Sequence, residues 1–93
     1  MKKESADSIR EIPDDDDEKN EREMLQFEAR KLMLVLDALD VKEKAILLMK
    51  YQDDMSIKDI SIALAASESA VKMRIKRSKA KAVELHKTMF GNG

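Results

Sequence analysis

The chain has no cysteine and no tryptophan, and only one proline, two glycines and one histidine among its 93 residues. Without thiols there is no disulfide, no thiolate nucleophile and no cysteine-based zinc site, and a lone imidazole, His86, cannot build a histidine metal cage. Aromatic residues make up 3%, too few for a base-stacking platform. No stretch approaches the ~20 apolar residues that span a bilayer. The start Met1-Lys2-Lys3-Glu4 leads into polar sequence, with no apolar signal core. These absences point to a cytoplasmic protein that is not an enzyme, with no cofactor, no metal and no membrane partner. They also leave little material for strands, so the expected class is all-α.

Charge is plentiful, at 40% of residues, and its near-balance of minus 1 conceals a polar chain. Residues 1 to 23 carry five basic and ten acidic side chains, net minus 5; residues 24 to 67 carry six and seven, net minus 1; residues 68 to 93 carry seven and two, net plus 5. A local basic surface, and not the mean charge, is what neutralises phosphates. The acidic end contains Pro13 followed by Asp14, Asp15, Asp16, Asp17 and Glu18. Five adjacent carboxylates repel one another and offer nothing to bury, so residues 1–20 are expected as a flexible acidic linker. The run lacks the alternating Asp spacing and the Gly of a calcium loop. A DNA-mimicking decoy is the sharper reading of it, kept open by the basic segment at the other end.

The remaining residues, 21–90, have helical periodicity and a set of helix-start signals. Leu25, Ala29, Leu32, Leu36 and Leu39 fall on one stripe and predict a first helix from about Asn20 or Glu21 to Leu39. Asp40 with Glu43 three residues later forms a capping-box pair and predicts a second helix over about Val41 to Tyr51. Ser56 with Asp59 repeats the signature before a short helix, about Ile57 to Ala65. Ala65, Ala66 and Ser67 make a turn, and Ser67 caps a last helix that can reach about Thr88. The prediction is a small four-helix domain ending in a helix-turn-helix.

In that last helix Val71, Ile75, Ser78, Ala82 and Leu85 keep a 4, 3, 4, 3 spacing, while Lys72, Arg74, Lys76, Arg77, Lys79 and Lys81 crowd into ten residues. One face is made for a core and most of the rest for something anionic, with duplex DNA the first candidate. A membrane-surface or calmodulin-type helix fits less well, because large aromatic anchors are missing and a capped partner helix precedes it. His86, near the helix end, reads as a residue suited to the C-terminal dipole or simply exposed. Tyr51 is expected to pack its ring and leave its hydroxyl wet.

Three runs then resemble a known family: Leu39 to Tyr51 (LDVKEKAILLMKY), Met55 to Ile60 (MSIKDI), and Ser67 to Lys79 (SESAVKMRIKRSK). They are similar to the L-P-x-x-x-R-x-V-L-x-L-R-Y, G-L-S-Y-x-E-I-A and S-x-G-T-V-K-S-R-L-x-R-A-R patterns of region 4 in bacterial extracytoplasmic-function sigma factors, over about Glu21 to His86. The resemblance implies a transcription-initiation module that reads the minus-35 element of double-stranded promoter DNA and docks on the β-subunit flap of RNA polymerase core. Carried over by position, Lys72, Met73, Lys76 and Arg77 match base-facing sites. Lys50, Ser56, Lys58, Ser67, Arg74 and Lys79 match positions near phosphate. Met24, Met33 and Met49 are candidates for the polymerase-flap pocket. The family's turn Gly is Ala65 here, its Thr is Ala70, and the serine after Lys72 is Met73, so base preference does not transfer. Lysines at 72 and 76 offer point charges in place of bidentate forks. No aromatic-rich region 2 is present, so the expectation is an excised domain or a truncated relative. The rival readings are a protein-interaction module whose helices bind an anti-sigma factor or another regulator, and a different helix-turn-helix transcription regulator that dimerises through the last helix.

Overall fold

A computed structural model describes residues 12–91, and among them the fold is all helical. The order is α1 (Asp14–Leu25), α2 (Ala29–Ala38), α3 (Val41–Leu47) running into a π turn (Leu48–Gln52), α4 (Ile57–Leu64), and α5 (Glu68–His86) running into a second π turn (Lys87–Gly91). The all-α expectation holds. The single first helix does not: the predicted Asn20-to-Leu39 segment is two helices. The amides of Gln26 and Phe27 fall back on Glu23 and Met24 at 3.1 and 3.2 Å, tightening the last turn of α1. Glu28, at φ −58° and ψ 139°, then restarts the chain as α2. A straight helix of that length would run about 30 Å in one direction. The break lets both halves pack on α5, with Met24 from one and Val35, Leu36 and Leu39 near the other in the same core.

A second difference lies further upstream. The stretch expected as a flexible acidic linker, residues 1–20, is helical from Asp14 onward, and the expectation for residues 1–11 lies outside the described residues. Pro13 holds φ at −59° before the first helical residue and accepts from the Asp17 amide at 3.0 Å. Asp14, Asp15, Asp16 and Asp17 all occupy the first turn, where free N–H groups and the helix dipole favour anions. Repulsion within the run is thus offset by its position.

The caps behave as read. Asp40 Oδ1 accepts from the Lys42 amide at 2.8 Å, and Glu43 Oε1 accepts from the Asp40 amide at 3.1 Å. Ser56 Oγ accepts from the Asp59 amide at 3.0 Å, and Ser67 Oγ from the Ala70 amide at 3.1 Å. Between α4 and α5 the chain turns through Ala65 in the left-handed region (φ 55°, ψ 44°), with the Ala66 amide reaching back to the Ser61 carbonyl at 3.0 Å. This is a Schellman closure built on a residue with a Cβ, which strains the turn by about 1 kcal/mol relative to glycine.

Helix α5 is the axis of the molecule, with α1, α2, α3 and α4 all packed against it. Val71, Ile75, Ser78 and Ala82 are buried along it, as their spacing predicted, and Ile60 from α4 and Ile46 and Leu47 from α3 complete the core. No helix of the described residues is long and apolar enough to cross a membrane.

Candidate nucleic-acid interface

The hydroxyl cap at Ser67 frames the N-terminus of α5, which stays at the surface: Ser67, Glu68 and Ser69 are exposed, and so is Lys72 one turn on. Beyond it the cations of α5 divide into two stripes flanking the core stripe. Lys72, Lys76 and Lys79 follow a 4, 3 spacing on the side facing α1. Arg74, Arg77 and Lys81 follow a 3, 4 spacing on the side facing α3.

On the α3 side, Arg74 and Arg77 line an open groove of about 770 Å³ with Asp40, Val41, Ile46 and Leu64. Arg74 is exposed and Arg77 half-buried. Lys81 lies 3.6 Å from Glu43 of α3, with half of its side chain in solvent.

On the α1 side the environment is acidic. Lys76 Nζ donates to Asp14 Oδ1 at 2.8 Å. Lys79 lies beneath the helix, its side chain 4% exposed, with its ammonium 2.9 Å from Asp17 and 3.2 Å from Glu21 and 6.0 Å from the centre of the Tyr51 ring. Burial alone would lower the Lys79 pKa; the Asp17 hydrogen bond, the charge of Tyr51 and Glu21 outweigh it, and the ammonium sits above its ordinary 10.5. Burial also pushes the Tyr51 hydroxyl up, above 10.0, against the pull of Lys79. The exposed Asp14 carboxyl is held below its ordinary value by the hydrogen bond and charge of Lys76.

The structure therefore distributes the sequence-derived residues unevenly. Lys72, Met73, Lys76 and Arg77 lie along one accessible sector of the N-terminal half of α5, exposed or half-buried. Ser56, Lys58, Ser67 and Arg74 are exposed on α4, on α5 or at their caps, and Lys50 is half-buried in the π turn after α3. Lys79 does not belong with them. Expected near phosphate, it is a buried cation, since an acidic helix covers it. Among the flap candidates Met33 is half-exposed and Met49 packs partly buried on the core, whereas Met24 is 3% exposed inside it. Met24 cannot line a surface pocket because it anchors α1.

Sequence reasoning missed Asp14, Asp17 and Glu21 as partners of the basic helix. A signal was present: they share a 3, 4 spacing that continues to Met24 three residues on, an amphipathic stripe that begins as carboxylates and ends as thioether. His86 does close α5, but its ring is stacked on Phe27 at 3.9 Å between centroids and 12° between planes. Among the described residues no group of three or more acidic or histidine side chains could hold a metal ion.

Residues 29–81, more than half of the chain, match the family described as sigma-70, region 4. The chain belongs to the sigma-70 region 4 family. Region 4 is a DNA-binding element of transcription sigma factors, and its match begins at the first residue of α2 and ends within α5. Helix α1 lies wholly outside it. The region 4 match is narrower than the Glu21-to-His86 resemblance, and it contains the helix-turn-helix and every basic residue of the two stripes. No curated protein and no solved structure gives a significant match.

Proposed function

We propose that this region 4 domain is a sequence-specific, DNA-binding transcription-initiation module that recognises the minus-35 promoter element and docks on RNA polymerase. The supporting observation is the capped α4–α5 pair, which leaves the cationic N-terminal half of α5 at the surface while its apolar stripe is held in the core. In this reading Lys72, Met73, Lys76 and Arg77 meet base edges, and Lys50, Ser56, Lys58, Ser67 and Arg74 meet phosphates. Arg77, as a guanidinium fork, carries the most sequence information, while the lysines act as point charges and favour phosphate and shape. Met33, beside the half-exposed Leu34 on α2, is the flap-facing candidate that this surface supports. Such work takes place in the cytoplasm. An anti-sigma factor would compete for the same surfaces.

The test is a salt titration of binding to a duplex selected from a random pool, set against unselected duplex. Each phosphate neutralised contributes about −0.9 to the slope of log affinity against log salt, so four or five contacts give a slope of roughly −4. A flat profile with no preference for the selected duplex overturns the reading in favour of the protein-interaction module.

A further inference from the structure

Helix α1 lies against the face that the proposed function assigns to duplex DNA. It lies outside the region 4 match, which begins at the first residue of α2. Its carboxylates meet cations of α5: Asp14 holds Lys76, which the proposed function places at base edges, and Asp17 and Glu21 hold the buried Lys79 beneath α1. The two ends of the helix are held differently. Met24 fixes the inner end in the apolar core, while the outer end rests on ion pairs, of which the Asp14 partner has a side chain 87% exposed. Exposed pairs of that kind are individually weak and fade with salt.

We infer that α1 is a built-in competitor for the DNA face of α5, an acidic helix that stands in for phosphates and must move aside before a duplex can engage Lys76. This inference rests on the DNA-binding reading. The competition is intramolecular, so α1 is always at hand, and the fraction of molecules with α1 docked lowers the apparent duplex affinity by the same fraction. A duplex, with its dense line of charge, displaces α1 when it binds. By linkage, whatever draws α1 away strengthens DNA binding to the same degree. A partner with a basic surface that captures the acidic stripe is one such effector.

The experiment compares two full-length variants of equal net charge. Asp14→Asn with Glu21→Gln removes two docking carboxylates and leaves Asp17 to hold Lys79. Asp15→Asn with Asp16→Asn removes two carboxylates from exposed positions of the same turn. Thermal melting first verifies that both are folded. Binding to the selected duplex at low salt is expected to tighten roughly fivefold more in the first variant than in the second. Equal gains in both overturn the inference, because net charge alone would explain them. Amide hydrogen exchange in the unmodified chain is the second measurement: saturating duplex should strip protection from α1, and unchanged protection also overturns it. Failure of both variants and the unmodified chain to bind any duplex defeats the DNA reading and the competitor together. Tight binding by the unmodified chain with no gain in the first variant defeats the competitor alone.

Discussion

The two flanks of α5 carry similar numbers of cations and treat them in opposite ways. On the α1 flank, Lys76 and Lys79 are matched by carboxylates that precede them by 58 to 62 residues, and Lys79 is sealed from water. On the α3 flank, Arg74 and Arg77 line a groove open to solvent and Lys81 is only loosely drawn to Glu43. The comparison teaches that a basic residue count on a helix does not measure its capacity for phosphate. Lys79 is a structural cation, whereas Arg74 on the opposite flank is exposed to solvent.

The contrast is most sharply tested by truncating one cation on each side. Lys79→Ala leaves Asp17 and Glu21 without their shared counter-ion under α1 and is expected to destabilise the fold by about 2–4 kcal/mol, short of the full buried-pair penalty because Glu21 is partly exposed. Arg74→Ala should change stability by less than about 0.5 kcal/mol. Urea melts of the two variants decide this; similar midpoints would erase the distinction between the flanks. On the binding side, Arg77→Ala is expected to weaken recognition of the selected duplex by roughly 1–3 kcal/mol and to relax base choice, leaving affinity for random duplex nearly intact. Parallel losses on both duplexes would reassign Arg77 to phosphate.

Alkali should loosen the α1 flank alone. Lys79 and Tyr51 both titrate above their ordinary values in the folded chain, so their contributions are complete below about pH 10 and decline as pH rises through the folded values. Exchange protection in α1 is expected to fall before that in α4, and simultaneous loss would show the flanks to be one unit. Acid works on Asp14 in the opposite sense: its carboxyl is held below 3.8, so its contribution is present above that value and is lost as pH falls beneath it. The smallest effect belongs to the turn before α5. Ala65→Gly relieves a left-handed φ and should raise stability by about 0.5–1 kcal/mol, read as a higher melting temperature, without altering either flank.

Much of this architecture was legible locally. Asp40 with Glu43, Ser56 and Ser67 marked three helix starts because capping is decided by residues within four positions of one another. The 71, 75, 78, 82 stripe marked the buried face of α5 for a similar reason. The break at Gln26–Glu28 was not legible, since Met24, Leu25, Phe27 and Leu32 sustain an apolar pattern that one helix or two can satisfy equally well. What separates the alternatives is the shape of α5, against which both halves must fit. The acidic run was read as a flexible linker on its own repulsion, without weighing its place in a first turn; the distant lysines kept open only the decoy reading. Lys79 shows the same limit from the other side: no neighbour in sequence reveals that it is buried. Of the candidate site, the accessible sector of α5 was foreseen, and its acidic cover entered only as the rival decoy reading.

The uneven fastening of α1 has a mechanical consequence. With Met24 lodged at the inner end and only three residues joining it to α2, a helix that yields to duplex as inferred would lift from its tip like a page turned from the loose edge, exposing Lys76 before Lys79. Ionic strength then becomes a graded control on how far the tip is raised, and a passing cation-rich surface needs to grip only the first turn to begin the opening.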